Sequence, residues 1–142
     1  MAVVPDVSAI LGQALDDEDA TFAESVIAAI ARDEAIVPTQ FWYEIRNVLV
    51  MAERRKRIAP ARTTAFLSDL SLLPFTVDDL PREASVLDLA RRRSLTVYDA
   101  TYLELAQRTN APLATLNQAL ITAAKKEGIP LFKPNATAKA KR

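Results

Sequence analysis

Neither histidine nor cysteine occurs among the 142 residues, so any chemistry must be done by other groups. Histidine is the commonest general base and zinc ligand. Its absence excludes Ser-His-Asp and Cys-His nucleophilic sites and HExxH zinc sites. The lack of cysteine excludes disulfides and thiolate metal sites. A hydrolase of this composition must activate water with a carboxylate, or with a hard cation held on oxygen ligands. Three acids stand where such chemistry could be done. Glu44 follows Phe41 by three residues and precedes Val48 by four, so all three share one helix face, the apolar one. Asp99 has the same relation to Tyr102 and Leu103, with the added attraction of a helix amino terminus. Asp6 stops the apolar run Ala2 to Pro5. Two carboxylates about 4 Å apart repel by on the order of 4 kcal/mol at an effective dielectric near 20. Acids aimed inward therefore need cations, proton uptake or hydrogen bonds, and Mg²⁺ or Mn²⁺ is a natural solution. Taken singly, each acid also has a plain structural reading. Asp6 suits a strand end, Asp99 an N-cap, and Glu44 a partner for Arg46 or another base; Ser8 reads as a helix cap.

The elements that must position these acids follow from periodicity. Ala2 to Pro5 reads as a strand, with Pro5 at its end or on an edge. A first helix is expected from Ser8 through Ile10, Leu11 and Leu15, and a second carries Phe22, Ala23, Val26, Ile27 and Ile30. Ala35 to Val37 reads as a buried strand. Thr39 then caps a long helix with Phe41, Trp42, Ile45, Val48, Leu49 and Ala52 on its inner side. Pro60 starts the next helix at its first turn, with Phe66, Leu67 and Leu70 as its buried stripe. Phe75 to Val77 is a further strand, Glu83 to Arg92 a helix, and Asp99 opens a helix with Tyr102, Leu103 and Ala106. Pro112 to Leu116 reads as a strand, Gln118 to Glu127 as a helix, and Gly128 as its left-handed cap. Short apolar runs alternating with helices predict a three-layer α/β/α fold around a parallel sheet. Such sheets place their sites at the carboxyl ends of strands, where Asp6 and Asn117 stand.

Half the residues are hydrophobic and only two are glycine, which suits a well-buried core in one domain. No apolar run approaches the roughly 18 residues that cross a bilayer. The amino terminus lacks the pattern of a signal peptide, so a soluble cytoplasmic protein is expected. Net charge is zero, yet the charges are segregated. Asp16, Asp17, Glu18 and Asp19 form an acidic start. Arg46, Arg54, Arg55, Lys56, Arg57 and Arg62 form a basic middle, followed by the Arg91-Arg92-Arg93 run. Lys139, Lys141 and Arg142 lie in a tail, residues 133–142, expected to be disordered. Basic runs can meet phosphates by counterion release, and each alone also suits a solvated helix end.

The run Val3-Val4-Pro5-Asp6-Val7-Ser8, then Pro38 with Glu44 and Asn47, then Tyr98-Asp99-Ala100-Thr101-Tyr102-Leu103, then Leu113-Ala114-Thr115-Leu116-Asn117, resembles the ordered motifs of PIN-domain proteins. It is most similar to the VapC toxins of bacterial type II toxin–antitoxin pairs. The likeness runs from the first strand to Phe132, which implies a PIN-like nuclease domain over residues 1–132. It also implies endonucleolytic cleavage of RNA with Mg²⁺ or Mn²⁺. Asp6 and Asp99 would be the principal metal ligands. Glu44 would complete the shell directly or through a water, and Glu44 or Asp99 would orient the attacking water. Where the family commonly has aspartate, this chain has Asn117, whose carbonyl can ligate a cation but adds no charge. That makes a one-metal mechanism the more economical reading. The resemblance further implies a homodimer and a cognate antitoxin covering the acidic cleft, with DNA met only through the antitoxin. The alternatives are a PIN-like nuclease of RNA processing without a toxin role, and a non-catalytic binding module with a degenerate acidic site.

Overall fold

The computed structural model describes residues 1–16 and 19–134. Asp17, Glu18 and the basic tail beyond residue 134 lie outside it. The described residues form four short strands, β1 (Val4–Pro5), β2 (Ala35–Pro38), β3 (Phe75–Asp78) and β4 (Leu113–Ala114). They also form six α-helices, α1 (Ala20–Arg32), α2 (Gln40–Arg54), α3 (Pro60–Leu70), α4 (Glu83–Arg92), α5 (Val97–Thr109) and α6 (Gln118–Glu127). All strand pairs are parallel: β2 lies beside β3 and β1 beside β4. The bridge between Val3 and Ala35 joins the pairs, giving the order β3-β2-β1-β4, and Leu131 extends the far side against Leu113. This is the α/β class the sequence predicts, its parallel strands covered by helices in a three-layer arrangement.

One hydrophobic cluster unites strands and helices. On α1 the buried Ala23, Val26 and Ile30 recur at helical spacing, and on α2 so do Phe41, Ile45, Leu49 and Ala52. Helix α5 is different. Tyr102 to Ala106 are buried in succession, because the helix packs against β1, β2, β4, α4 and α6. A helix enclosed on several sides loses the polar face that usually betrays it. No described helix is long and apolar enough to cross a membrane. Gly12 meets the backbone of the approach to α1 so closely that a Cβ would lie 2.2 Å from the Asp19 carbonyl oxygen. No other residue fits there without moving the chain.

Several local expectations are corrected. The segment after Asp6 forms two 3-10 turns, Val7–Ala9 and Leu11–Gln13, instead of one α-helix capped by Ser8. Asp6 is itself the cap, accepting from the Ala9 N–H, while the Ser8 hydroxyl is engaged elsewhere. Trp42 is 55% exposed instead of facing inward. It sits one position, about 100°, round the helix from Phe41, and the Arg46 guanidinium stacks 3.7 Å from its ring centroid. Thr39 occupies the cap position of α2 without a capping hydrogen bond. Thr96, three residues before the expected start at Asp99, caps α5 by accepting from the Asp99 N–H. β4 stops at Ala114, because the Thr115 side chain and the following N–H groups turn to other partners.

The far end of α5 carries an ion network. Arg108 bonds Asp78 at the end of β3 (2.6 and 3.1 Å) and Glu104 one turn back (2.6 Å). Glu104 is 2% exposed, so Arg108 is the cation that makes its burial tolerable. Arg108→Met should therefore lower stability at neutral pH by about 3–5 kcal/mol, the usual consequence of leaving one buried partner unpaired. Hydrogen bonding from Arg108, reinforced by its charge, also holds the Asp78 carboxyl below its ordinary range. That contribution is present above the unfolded value of about 3.9 and is lost as pH falls through the lower folded value. Urea unfolding should show both the drop at neutral pH and a shrinking difference between variant and parent in acid. A loss under about 1 kcal/mol would mean the clamp is not a major tie.

Candidate active site

The site is built where β1 and β4 run side by side. Their register pairs Pro5 with Ala114, and the Asp6 N–H donates to the Ala114 carbonyl (3.0 Å). The next residue on each strand, Asp6 and Thr115, is thereby brought into contact. The Asp6 side chain is buried, and each of its oxygens is engaged. Oδ1 accepts from the Ser8 hydroxyl (2.6 Å) and the Ala9 N–H (3.2 Å), and Oδ2 accepts from the Thr115 hydroxyl (2.5 Å). The two hydroxyls are themselves fixed: the Leu116 N–H donates to Ser8 Oγ (2.8 Å) and the Asn117 N–H to Thr115 Oγ1 (2.9 Å). Each hydroxyl accepts from backbone and donates to the acid, which is how neutral groups hold a buried charge in one rotamer.

Helices α2 and α5 supply the other acids. Glu44 is half-buried, and its Oε1 accepts from the Tyr102 phenol (2.7 Å). Burial, with the Glu44 bond and the neighbouring acids, drives the Tyr102 pKa far upward. Its hydroxyl is thus a permanent donor. Arg46, the alternative partner for Glu44, instead bonds the Trp42 carbonyl. The start of α5 is drawn to α2 by the Gln40 amide, which donates to the Tyr98 carbonyl (2.8 Å). Asp99, in the first turn of α5, is half-buried, and the Asn117 side chain beside it favours its charged form. Asn117 caps α6 with its own Oδ1, which accepts from the Ala119 (2.9 Å) and Leu120 (3.3 Å) N–H groups. With its oxygen so occupied, the amide nitrogen is what it offers Asp99.

The three carboxyls are electrostatically coupled. Burial raises the pKa of Asp6, against the pull of Ser8, Thr115 and Ala9, and Asp99 adds to the rise. Burial also raises Glu44, against the Tyr102 bond, with Asp99 and Asp6 adding. Burial raises Asp99, partly offset by Asn117. Among the described residues no lysine or arginine pairs with any of the three. The donor set is all oxygen, and the local charge is negative without a protein counterion, which fits a hard divalent cation. Among the described residues no group of three or more acids is gathered closely enough to enclose an ion. The fit is therefore of the kind Mg²⁺ favours, one or two carboxylates with several retained waters.

Sequence reasoning brought Asp6, Glu44, Asp99 and Asn117 to attention, and the fold brings them within electrostatic reach of one another. It missed Thr115, the Tyr102–Glu44 bond and the part of Ser8 in holding Asp6. Tyr102 lay on the same helix face as Asp99 and was read only as core. Thr115 gave no such signal, since the strand was read through Leu116, and only its end at Ala114 puts Thr115 in the place that Asp6 holds after β1.

Two consequences can be measured without any substrate. The folded pKa of Asp99 is raised, so its protonation stabilises the fold below the unfolded value of about 3.9, and that stabilisation is lost as pH rises through the folded value. In EDTA, Asp99→Asn should therefore gain in melting temperature relative to the parent as pH goes from 4 to 7. A constant or falling difference would mean that Asp99 is not a strained carboxylate. Asn117→Asp keeps the helix cap but removes the amide donor and places a charge beside Asp99. It should cost roughly 1–3 kcal/mol in EDTA, the Coulomb estimate discounted for solvent, and be stabilised by Mg²⁺ more than the parent is. Melts that match the parent in both conditions would place residue 117 outside this electrostatic field.

The model of the PIN domain matches residues 3–126 of the sequence. The fold is similar to the crystal structure of PAE2754 from Pyrobaculum aerophilum, with a TM-score of 0.67, 28% sequence identity and coverage of 87% of each chain. No curated protein matches the sequence. The family match across most of the chain, on a fold shared with a solved structure at that identity, establishes that this chain belongs to the PIN-domain family.

Proposed function

We propose that this chain is a Mg²⁺- or Mn²⁺-dependent endoribonuclease and the toxin of a toxin–antitoxin pair. PIN domains are generally nucleases, typically with divalent metal ions. The observation that carries the reading for this chain is the set of three coupled carboxylates, Asp6, Glu44 and Asp99, with no protein cation to neutralise them. The toxin role rests on the similarity in motif order to VapC toxins, and with it go a homodimer and an antitoxin covering the cleft.

Asp6 and Asp99 would hold the ion, with Glu44 reaching it through a retained water. When bound, the ion supplies charge stabilisation at the scissile phosphate and lowers the pKa of water. The protein's own share is positional and basic. Ser8, Thr115 and the Ala9 N–H fix Asp6, so its negative charge stands ready without reorganisation. The Tyr102 phenol occupies one oxygen of Glu44, and Oε2 is left to orient the attacking water and accept its proton. Burial strengthens that carboxylate as a base by raising its pKa. Attack at phosphorus in line with the 3′ oxygen breaks the P–O3′ bond. The products are a 5′-phosphate and a 3′-hydroxyl, the latter taking its proton from solvent. Asn117 acts through its amide nitrogen, which favours the charged form of Asp99, since its carbonyl is committed to the α6 cap.

RNA cleavage should stop in EDTA and return with Mg²⁺ or Mn²⁺. Asp6→Asn and Asp99→Asn should each reduce it by at least about 100-fold, the scale of losing one electrostatic group, without loss of fold. Growth arrest on expression should vanish with the same variants. Undiminished cleavage in EDTA, in a preparation free of contaminating nuclease, would overturn the mechanism. Metal-dependent cleavage with no growth arrest, and no neighbouring antitoxin gene, would assign the chain to RNA processing.

A further inference from the structure

The Arg91-Arg92-Arg93 run has no part in the acidic cluster, yet it ends three residues before Thr96, the cap of the helix that carries Asp99. A cavity of about 390 Å³ opens between the end of α4 and the outer face of α6. Its polar lining is Arg92, Arg93, Ser94, Gln118, Thr122 and Lys126. Over residues 88–93 and 122–127 there are five cationic side chains against two carboxylates, Asp88 and Glu127, a surplus of three positive charges. Both carboxylates are spent on ordering the arginines. Arg92 bonds Asp88 (2.8 Å) and Glu127 (2.9 Å), and Arg93 bonds Glu127 through Nε (2.5 Å). The Arg93 terminal nitrogens and the Lys126 ammonium have no protein partner among the described residues. The wall is also well fixed. Ser94 takes a left-handed conformation (φ 54°), and the Leu95 N–H returns to the Ala90 carbonyl, closing the end of α4.

The position of this cavity gives it meaning. Gln118 on its rim is the neighbour of Asn117, whose side chain lies beside Asp99. A strand with its scissile phosphate at Asp99 that ran past Asn117 would meet this cavity next. No aromatic ring lines the cavity, and its groups are cations, two hydroxyls and an amide, which suits anionic oxygen and not a nucleobase. We infer that this cavity is a phosphodiester-binding subsite that holds the RNA backbone next to the scissile bond. The inference rests on the ribonuclease reading above. The subsite supplies the positive field that the cleft lacks, so affinity for the strand is generated beside the acids and not at them.

The test is fluorescence anisotropy of a short labelled oligouridylate in EDTA, across a series of salt concentrations. Lys126→Gln is the first variant, because the side chain is exposed and without an ion-pair partner. The double variant Arg92→Gln/Lys126→Gln leaves Glu127 paired with Arg93, and its melting temperature checks the fold. Arg32→Gln, at the end of α1 where the chain enters β2 and outside the basic runs, removes the same charge as a control. Lys126→Gln should weaken binding several-fold and the double variant further. The slope of log affinity against log salt should fall by roughly 0.7 for each phosphate that is no longer neutralised. The control should leave affinity and slope close to the parent's. Parent-like binding by the double variant, or an equal loss in Arg32→Gln, would overturn the subsite while the ribonuclease reading stands. A parent protein that neither binds nor cuts RNA would overturn both.

Discussion

A single negative charge buried at the end of the first strand organises this molecule. Asp6 has no cation beside it, and an isolated carboxylate taken out of water is expensive enough that neighbouring groups must answer it. The answer comes from three places in the sequence: the Ser8 hydroxyl just after β1, the Ala9 N–H in the first 3-10 turn, and the Thr115 hydroxyl just after β4. The Ser8 and Ala9 bonds are local, but the Thr115 bond, and the Leu116 bond that fixes Ser8, would fail if β1 and β4 paired in another register, since a one-residue slip sends alternate side chains to the other face. Strands of two residues have few ladder bonds with which to enforce register. The charged knot at Asp6 adds long-range ties where the ladder is thin.

Around that knot the fold gathers acids and withholds cations. The arginines and lysines are plentiful, but those beside acids serve elsewhere: Arg108 at the far end of α5, Arg92 and Arg93 between α4 and α6. Neutral donors stand where a structural protein would have placed a base. Tyr102 faces Glu44 and Asn117 faces Asp99, each lowering the energy of the charged form without cancelling its charge. The arrangement gives up stability to keep a negative potential available, a trade met at functional sites and seldom in cores.

The architecture was legible because it is carried by periodicity. The stripes Ala23-Val26-Ile30 and Phe41-Ile45-Leu49, the proline at the start of α3 and the glycine after α6 all fell where the sequence placed them. What escaped depends on contacts between residues far apart. Ser8 offered the right chemistry for a helix cap, and only the proximity of Leu116 and Asp6 reassigns it. Trp42 looked like core by composition, yet its angular position one step from Phe41 puts it outside, under Arg46. Helix α5 obscured its own role, because burial of Tyr102 through Ala106 erased the amphipathic pattern that would have marked Tyr102 and Glu104 as special. The acids were visible as residue types with unusual faces; their mutual coupling and their neutral partners needed the fold.

The open margin of the sheet, finally, bears on how the protein keeps to itself in a crowded solution. β3 is the outermost strand on its side, and Val77 there is 57% exposed. Exposed edges of this kind are templates for another chain to add a strand. This one is only four residues long, is entered through Pro74, ends on Asp78 and is followed by Asp79 and Pro81. Asp78 is held at its end by Arg108. A visiting strand would find little ladder to extend and would meet fixed charge and proline at its limits. The clamp that compensates a buried glutamate thus also blunts the edge, guarding the sheet against edge-to-edge aggregation.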